Sequence, residues 1–346
     1  MASTIRDVAK LAGVSPSTVS RTLRNNPSIS LKTQEKVRQA MKELNYQLPS
    51  PVQTGPIHPR TIGIIMMPSE TSSFNNPFFM DILRGITQCC SQSHYLSTLI
   101  TGNEDAEILK YIQEMNEQDS IASYIVLFSR MNDPVVQYLY TEGIDFVQIG
   151  HPASHPNEIV AVDNDNISAG QEAARYLYNL GHRKIAYLGS DFNQYYSAAR
   201  RNGIRLFLAD HNLPFENNHS IEMDYGDARK LNELRKLIDL DNPDRPTAII
   251  ASDEIHALAL RQICAEKNVR IPDDLSIIAF NNSIISYLTS PALSSIDINA
   301  VQLGKEAAWQ AIKHLENPDL LPSRTMVPYV LVERDSCKAI DSSSQS

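Results

Sequence analysis

At 346 residues, 42% of them hydrophobic, the chain is long enough for a small head and a body of two subdomains. No run approaches the ~20 apolar residues of a membrane span, and residues 1–30 lack an apolar signal region, which argues against a membrane partner and for a cytoplasmic location. The net charge of −9 is unevenly spread: residues 1–60 hold nine Lys and Arg against three Asp and Glu, a balance of +6, which leaves −15 on the remainder. A basic head on an acidic body favours phosphate contact at one end only.

In chain order, Ile5, Val8, Ala9 and Ala12 recur at helical spacing, and Gly13 follows where a helix end favours positive φ. Ser15 then caps a second helix with Pro16 at its first position, where the missing N–H costs nothing. Val19 and Leu23 supply the buried face of that helix, and Ser17, Thr18, Ser20 and Arg21 point the other way. A third helix is predicted after Ser30, with Val37, Ala40, Met41 and Leu44 as its apolar stripe. Two short helices joined by a tight turn make a helix-turn-helix, whose second helix enters the major groove of DNA. The plainer alternative is a solvated three-helix appendage with incidental charge. The candidate DNA-contacting residues are Thr4, Ser15, Pro16, Ser17, Thr18, Ser20, Arg21 and Asn25.

The pattern I-x-D-V-A-x-x-A-G-V-S-x-x-T-V-S-R, matched from Ile5 to Arg21, and the run V-R-Q-A-M-K-E-L-N-Y from Val37 to Tyr46 resemble the headpiece of the lactose/galactose repressor family of bacterial transcription regulators. The resemblance implies base-edge contacts from Pro16, Ser17 and Arg21. Pro16 has no donor and offers apolar contact only, for instance to a thymine methyl. It also implies a homodimer on a roughly palindromic double-stranded operator. The family follows its third helix with a hinge helix whose leucine wedges into the minor groove. Here residues 47–60 carry four prolines and Gly55, which argues against a stable helix beyond Val52 and for a stiff linker. Leu48 and Val52 are the apolar side chains that could still insert.

From residue 61 the chain alternates between strand-like and helix-like patterns. Residues 61–67 form a near-continuous apolar run, as in a parallel strand covered on both faces. A helical stretch through Phe78, Ile82, Leu83 and Ile86 follows. Further strands are predicted at 121–128, 144–149, 184–188, 247–251 and 275–280, most with helical sequence between them. The alternation specifies α/β architecture with doubly wound sheets. The effector-binding and dimerisation body then spans 61–335, with an N-subdomain at about 61–162 and 291–322 and a C-subdomain at about 163–290 and 323–335. The return of the last segments to both subdomains is what the resemblance implies, since the family's body is similar to periplasmic sugar-binding proteins. Residues 336–346 are expected to form a disordered tail. Cys89, Cys90, Cys264 and Cys337 suit reduced thiols without zinc-like spacing, and no metal or cofactor is expected.

Ligands of open α/β sheets bind beyond the carboxyl ends of strands. That rule selects Phe74, Asn75 and Phe78 after the first strand, Ser129 and Arg130 after the strand at 121–128, His151 after the strand at 144–149, and then Asp191, Ser252, Asp253 and Asn281. Planar polar side chains with aromatic rings suit a sugar, although each residue taken singly suits turn formation equally well. The resemblance adds Arg200, first residue of an R-x-x-G segment (Arg200 to Gly203) whose arginine reaches the effector between the subdomains. It also matches Ser252-Asp253 and Asn281-Asn282; the family often has Asp-Asp at the latter pair. Within the family, residues 128–134 and 162–166 resemble maltose-operon repressors, which implies maltose or a maltodextrin, with another sugar or a sugar phosphate as the alternative. Asp163 and Asp165 lack the following Gly and distal Glu of a calcium loop and read as a helix cap. No G-x-S-x-G, Walker, H-E-x-x-H or G-x-G-x-x-G signature follows the expected elements, so an enzyme or plain sugar-binding protein is the weaker reading. The expected function is a repressor that releases its operator when sugar binds.

Overall fold

The computed structural model of the chain describes residues 4–23, 29–46, 61–68, 76–215, 219–223 and 227–340. Asn25, Leu48, Val52, Phe74 and Asn75 lie outside the described residues, as do 47–60 and 341–346.

Three helices form the head: α1 (Ile5–Ala12), α2 (Pro16–Leu23) and α3 (Leu31–Glu43). Thr4 opens α1 with a capping box, its hydroxyl accepting from Asp7 N while its own backbone N–H donates to the Asp7 carboxylate at 2.8 Å. Gly13 closes that helix at φ 67°, a left-handed conformation that a Cβ would strain. Ser15 Oγ accepts from Thr18 N at 3.2 Å, and Ser30 Oγ accepts from Thr33 N, so the second and third helices also start on hydroxyl caps. Val8, Ala9, Val19, Val37 and Ala40 form the core of the head, and Ile5, Leu23, Met41, Leu44 and Tyr46 pack around it.

The chain divides into two compact units: Met1–Ser73 with Leu83–Val162 and Leu303–Thr325, and Phe74–Ile82 with Asp163–Gln302 and Met326–Ser346. The first unit holds β1 (Thr61–Ile65), β2 (Leu96–Ile100), β3 (Ser123–Val126), β4 (Phe146–Ile149), β5 (Val160–Asp163) and β11 (Arg324–Met326), in the order β11-β5-β4-β3-β1-β2. Its helices include α5 (Asp105–Glu117), α6 (Pro134–Glu142) and the part of α4 (Pro77–Gln92) from Leu83 onward, the residues of α4 up to Ile82 belonging to the second unit. The pairings among β1 to β5 are parallel, and β3 is buried along its whole length because helices cover both faces.

The second unit repeats the scheme. Its strands β6 (Ile185–Gly189), β7 (Ser220–Glu222), β8 (Ala248–Ala251), β9 (Ser276–Phe280), β10 (Ser294–Asp297) and β12 (Val330–Val332) run in the order β12-β10-β9-β8-β6-β7. Only β12 pairs antiparallel there among the described strands. Its helices include α7 (Asn166–Asn179), α8 (Tyr195–Asp210), α9 (Ala228–Leu237), α10 (Glu254–Glu266) and α11 (Ile284–Leu288), and α12 (Ala300–Glu316) leads out of it. The α7–α8 pair is packed unusually closely. A Cβ on Gly203 would lie 2.0 Å from Ile167 O, and one on Gly170 would lie 2.3 Å from Arg200 O. Only hydrogen at both positions lets the two backbones approach this far.

Four boundaries differ from the sequence reading, the first at the start of α4, where the described residues 76–82 group with the second unit rather than with the N-subdomain. Residues 291–302 join the second unit rather than the N-subdomain, because Ser294–Asp297 adds to β9 as a parallel strand. Residues 323–325 stay with the first unit, where Arg324–Met326 flanks β5 and Ala161 N donates to Ser323 O. The expected disordered tail is packed from 336 to 340: Ser336 is fully buried, its hydroxyl donating to Ile277 O and accepting from Ser294 N, and Ile340 N donates to Leu180 O. Strands β2, β5, β7, β10, β11 and β12, each three to five residues, escaped the sequence reading. No described helix is long and apolar enough to cross a membrane.

Candidate DNA-reading face and effector site

One side of α2 carries the residues expected to read DNA. At 3.6 residues per turn Ser17, Ser20 and Arg21 share a face. The sequence reading placed that face in solvent, and the structure corrects it. Ser17 is 6% exposed and Ser20 8%, because the start of α2 packs on the end of α6 in the same unit. Arg21 lies 4.2 Å from the centroid of the Tyr140 ring and 3.3 Å from a Glu158 carboxylate oxygen. Thr4, Ser15 and Thr18 remain on the rim, with Ser15 Oγ within 2.9 Å of Thr18 Oγ1 and 2.7 Å of Ser17 Oγ. Pro16 is half-buried at the head of the helix.

Of the effector candidates in the first unit, Ser129 and His151 are brought together. The Ser129 hydroxyl donates to His151 O, and burial together with the charge of Arg324 lowers the His151 pKa. Arg130 is not presented freely. Its guanidinium is held by Asp105 and Asp133, and Asp133 in turn caps α6 by accepting from Val136 N at 2.8 Å. Burial pulls the Arg130 pKa down, but the two carboxylates outweigh it and raise it. Arg130 therefore braces two helix starts, the loop-capping role that sequence alone left open. Phe78 lies on the first turn of α4, edge-on to Phe79 at 5.2 Å between ring centroids.

In the second unit the candidates Ser252 and Asp253 meet at Arg200, which is 3% exposed. Its Nε donates to Asn166 Oδ1 at 2.9 Å and its Nη1 to Ser252 O at 2.7 Å, while the guanidinium lies 4.1 Å from the Phe280 ring centroid and 5.0 Å from that of Tyr196. Burial lowers the Arg200 pKa. Asp253 caps α10 and accepts from His256 Nδ1 at 2.7 Å; burial pushes its carboxyl up, but His256 and then Arg200 hold it below the ordinary range. His256 Nε2 lies 2.9 Å from Met223 O. Both ring nitrogens thus face acceptors. Asp163 accepts from Asn164 N and Asn166 Nδ2, yet burial raises its pKa to about 7.

Asn281 and Asn282 follow Phe280 at φ 97° and 61°. Asparagine tolerates that left-handed backbone better than most side chains, which gives the amide pair a conformational reason as well as a polar one. Asn282 is fixed between Asp297 and Arg334 at 2.8 and 2.6 Å. Asp191 Oδ1 accepts from Asn193 N and so shapes the turn entering α8. Asp165 caps α7 through Ser168 N at 2.9 Å, and the described residues hold no cluster suited to a metal ion. Sequence reasoning missed Asn166, Tyr196 and Phe280 as partners of Arg200. Asn166 was visible as the last residue of V-D-N-D-N, but nothing local announces a bond to a residue 34 positions away.

A family model described as "Bacterial regulatory proteins, lacI family" matches residues 4–49, and one described as "Periplasmic binding protein-like domain" matches 174–337. The HTH-type transcriptional regulator MalR of Staphylococcus xylosus is 32% identical over 340 residues, covering 97% of this chain and 98% of that protein. The chain belongs to the LacI family. The HTH-type transcriptional regulator CelR of Thermobifida fusca is 27% identical, with 96% of this chain and 98% of CelR covered. A solved staphylococcal "probable maltose operon transcriptional repressor malR" is 28% identical with a TM-score of 0.75, covering 82% of this chain and 99% of that one. This LacI-family protein is thus a DNA-binding transcription regulator rather than an enzyme. Its helix-turn-helix is α1 and α2, and its periplasmic-binding-protein-like sheets are those described above.

Proposed function

We propose that the chain is a sugar-responsive repressor of a carbohydrate-utilisation operon, that its effector is maltose or a maltodextrin, and that it acts in the cytoplasm as a homodimer on a roughly palindromic operator. The observation that carries the sugar reading is the setting of Arg200. A rigidly held guanidinium beside two aromatic rings, Asp253 and Ser252 offers fixed hydrogen bonding next to apolar faces, which is what a ring of hydroxyls and C–H groups requires. The MalR relative and the maltose-operon repressor support maltose among sugars. Ser17 and Arg21 are the side chains that read base edges, and Arg21 suits a guanine O6/N7 pair. Sugar binding favours the conformation with the lower operator affinity, so each ligand weakens the other by the same factor.

The test is calorimetric titration of the full chain with maltose, maltotriose, cellobiose and glucose 6-phosphate, paired with operator binding at saturating sugar. Saturable binding of maltose or maltotriose with weakened operator affinity is the expected result. Binding of one of the other compounds alone would replace the sugar and keep the repressor. If none of them shifts operator affinity, the sugar-responsive reading falls.

A further inference from the structure

The first unit contains both the headpiece and a body surface that covers the face meant for DNA. Arg21 lies on the Tyr140 ring and pairs with Glu158, and the Tyr140 hydroxyl donates to the same Glu158 carboxylate at 2.9 Å. The ring of His155 stacks on Tyr140 at 3.7 Å between centroids, which fixes the platform. At the other end of the contact Arg6 pairs with Glu142 at 3.3 Å. Between them Gly143, the left-handed cap of α6 at φ 70°, faces the first turn of α2 so closely that a Cβ there would lie 3.0 Å from Ser17 Cα and 3.1 Å from Pro16 O.

These groups form one surface with a defined chemistry. Two carboxylates stand where phosphate or base acceptors would stand, an aromatic face takes the guanidinium as a stacked base would, and a glycine leaves room for the helix backbone. We propose that the Tyr140–Glu142–Gly143–Glu158 face of the body is an internal docking site for the DNA-reading helix, which operator DNA has to displace. The proposal rests on the assignment of Ser17 and Arg21 as DNA-facing residues.

The strengths of the contacts fit a latch that opens. The Arg21 and Glu158 side chains are 22% and 26% exposed, and those of Arg6 and Glu142 are 57% and 29% exposed. Ion pairs with that much water access contribute at most about fivefold each to an equilibrium constant, and the stacked guanidinium contributes about as much again. Docking of this strength leaves a minor undocked population, and apparent operator affinity falls in proportion to that fraction. The contact is electrostatic in part, so added salt weakens it as well as DNA binding.

The experiment uses the full chain and alters only the body. Gly143→Asn keeps a residue that tolerates positive φ but drives a side chain into α2, without changing any charge. Glu158→Gln removes the partner of Arg21. Operator binding is read by fluorescence anisotropy at fixed salt, and amide exchange of residues 17–22 is read in the absence of DNA. Both variants are expected to bind operator about threefold to tenfold tighter than the parent, as the competent fraction rises, and to exchange faster over 17–22. A gain confined to Glu158→Gln would overturn the proposal, since removing a negative charge near DNA suffices for it. Unchanged exchange in both variants would overturn it as well. Arg21→Ala separates the two assignments: unaltered affinity and sequence preference in that variant would remove Arg21 from DNA readout, while the exchange experiment would still decide whether the helix docks.

Discussion

Arg21 in the headpiece and Arg200 in the second unit both hold a guanidinium against an aromatic ring, at 4.2 Å from Tyr140 and 4.1 Å from Phe280. Their other partners differ. Arg21 is balanced by the Glu158 carboxylate at a partly wet surface. Arg200 is 3% exposed and donates to two neutral oxygens, Asn166 Oδ1 and Ser252 O. An ion pair at a wet surface can be exchanged for another anion at little cost. A buried guanidinium satisfied by fixed dipoles cannot leave without stranding its partners. The first arrangement suits a group that changes partner between states, and the second suits one that must present the same geometry to every ligand.

The largest expected effect follows from what positions Arg200. Asn166 begins α7 and Arg200 lies on α8, and their bond depends on the close approach of the two helices at Gly170 and Gly203. In Gly203→Ala the new Cβ has no flexible side chain to displace, only backbone atoms of Ile167 and Gln171. We expect a loss of about 3 kcal/mol from the second unit, measured as faster hydrogen exchange along α7 and α8 in urea. The headpiece amides should be unaffected. A loss below about 0.5 kcal/mol, the range of an ordinary surface change, would mean that the helices do not approach this closely in solution.

Arg200→Lys tests the contrast directly. Lysine keeps the charge but lacks the planar fork that bonds Asn166 and Ser252 while stacking on Phe280. Stability should fall by about 2 kcal/mol as a buried acceptor is left unpaired, and calorimetry should show the sugar affinity of the proposed effector reduced about tenfold or more, the value of one charged hydrogen bond. The matching change Arg21→Lys should move stability by less than about 0.5 kcal/mol. Equal losses in the two variants would erase the distinction between an exchangeable and a fixed arginine.

The sequence made the first of these regions far more legible than the second. Capping residues, Gly13 and the apolar stripes of α1 to α3 act over four residues or fewer, so local rules recover the head almost residue by residue. The long apolar strands β1, β6, β8 and β9 were readable because burial on both faces leaves an unbroken hydrophobic run. Edge strands such as Ser220–Glu222 and Arg324–Met326 were not, since three residues with one wet side carry no period. In the site, Ser252 and Asp253 were accessible from their place after β8, whereas Asn166 and Phe280 depend on how elements distant in sequence meet. The burial of Ser17 and Ser20 was invisible for the same reason: α6 begins more than a hundred residues beyond them.

An effect of similar size, in pH dependence, separates the two regions without touching either arginine. Glu254, next to Asp253, is 1% exposed, and its carboxylate accepts from Ser283 N and from Ser286 Oγ at 2.8 Å. Burial pushes its pKa from 4.5 to about 7, although the serine contacts pull it down. The folded unit therefore keeps a proton that the unfolded chain releases between about pH 4.5 and 7. With fewer protons bound in the unfolded state, stability falls as pH rises through that window and levels off above it. In Glu254→Gln this contribution is absent, so the stability difference between the two proteins should change by on the order of 2 kcal/mol from pH 5 to 8. Asp163, raised to about 7, slopes the same way, and His182, lowered to about 4 by burial, slopes the opposite way below its ordinary value of 6.5. Both are common to the two proteins and cancel in the difference. The headpiece gives the control: Asp7 is lowered below 3.8 by its bonds to Thr4, and Tyr46 is raised above 10 by burial, so neither titrates between pH 5 and 8. Exchange rates corrected for intrinsic pH effects should accordingly show the change in α10 and β9 and not in α1 to α3. Parallel stability curves for parent and Glu254→Gln across that range would place the Glu254 carboxylate in contact with water rather than in its buried bonds to Ser283 and Ser286.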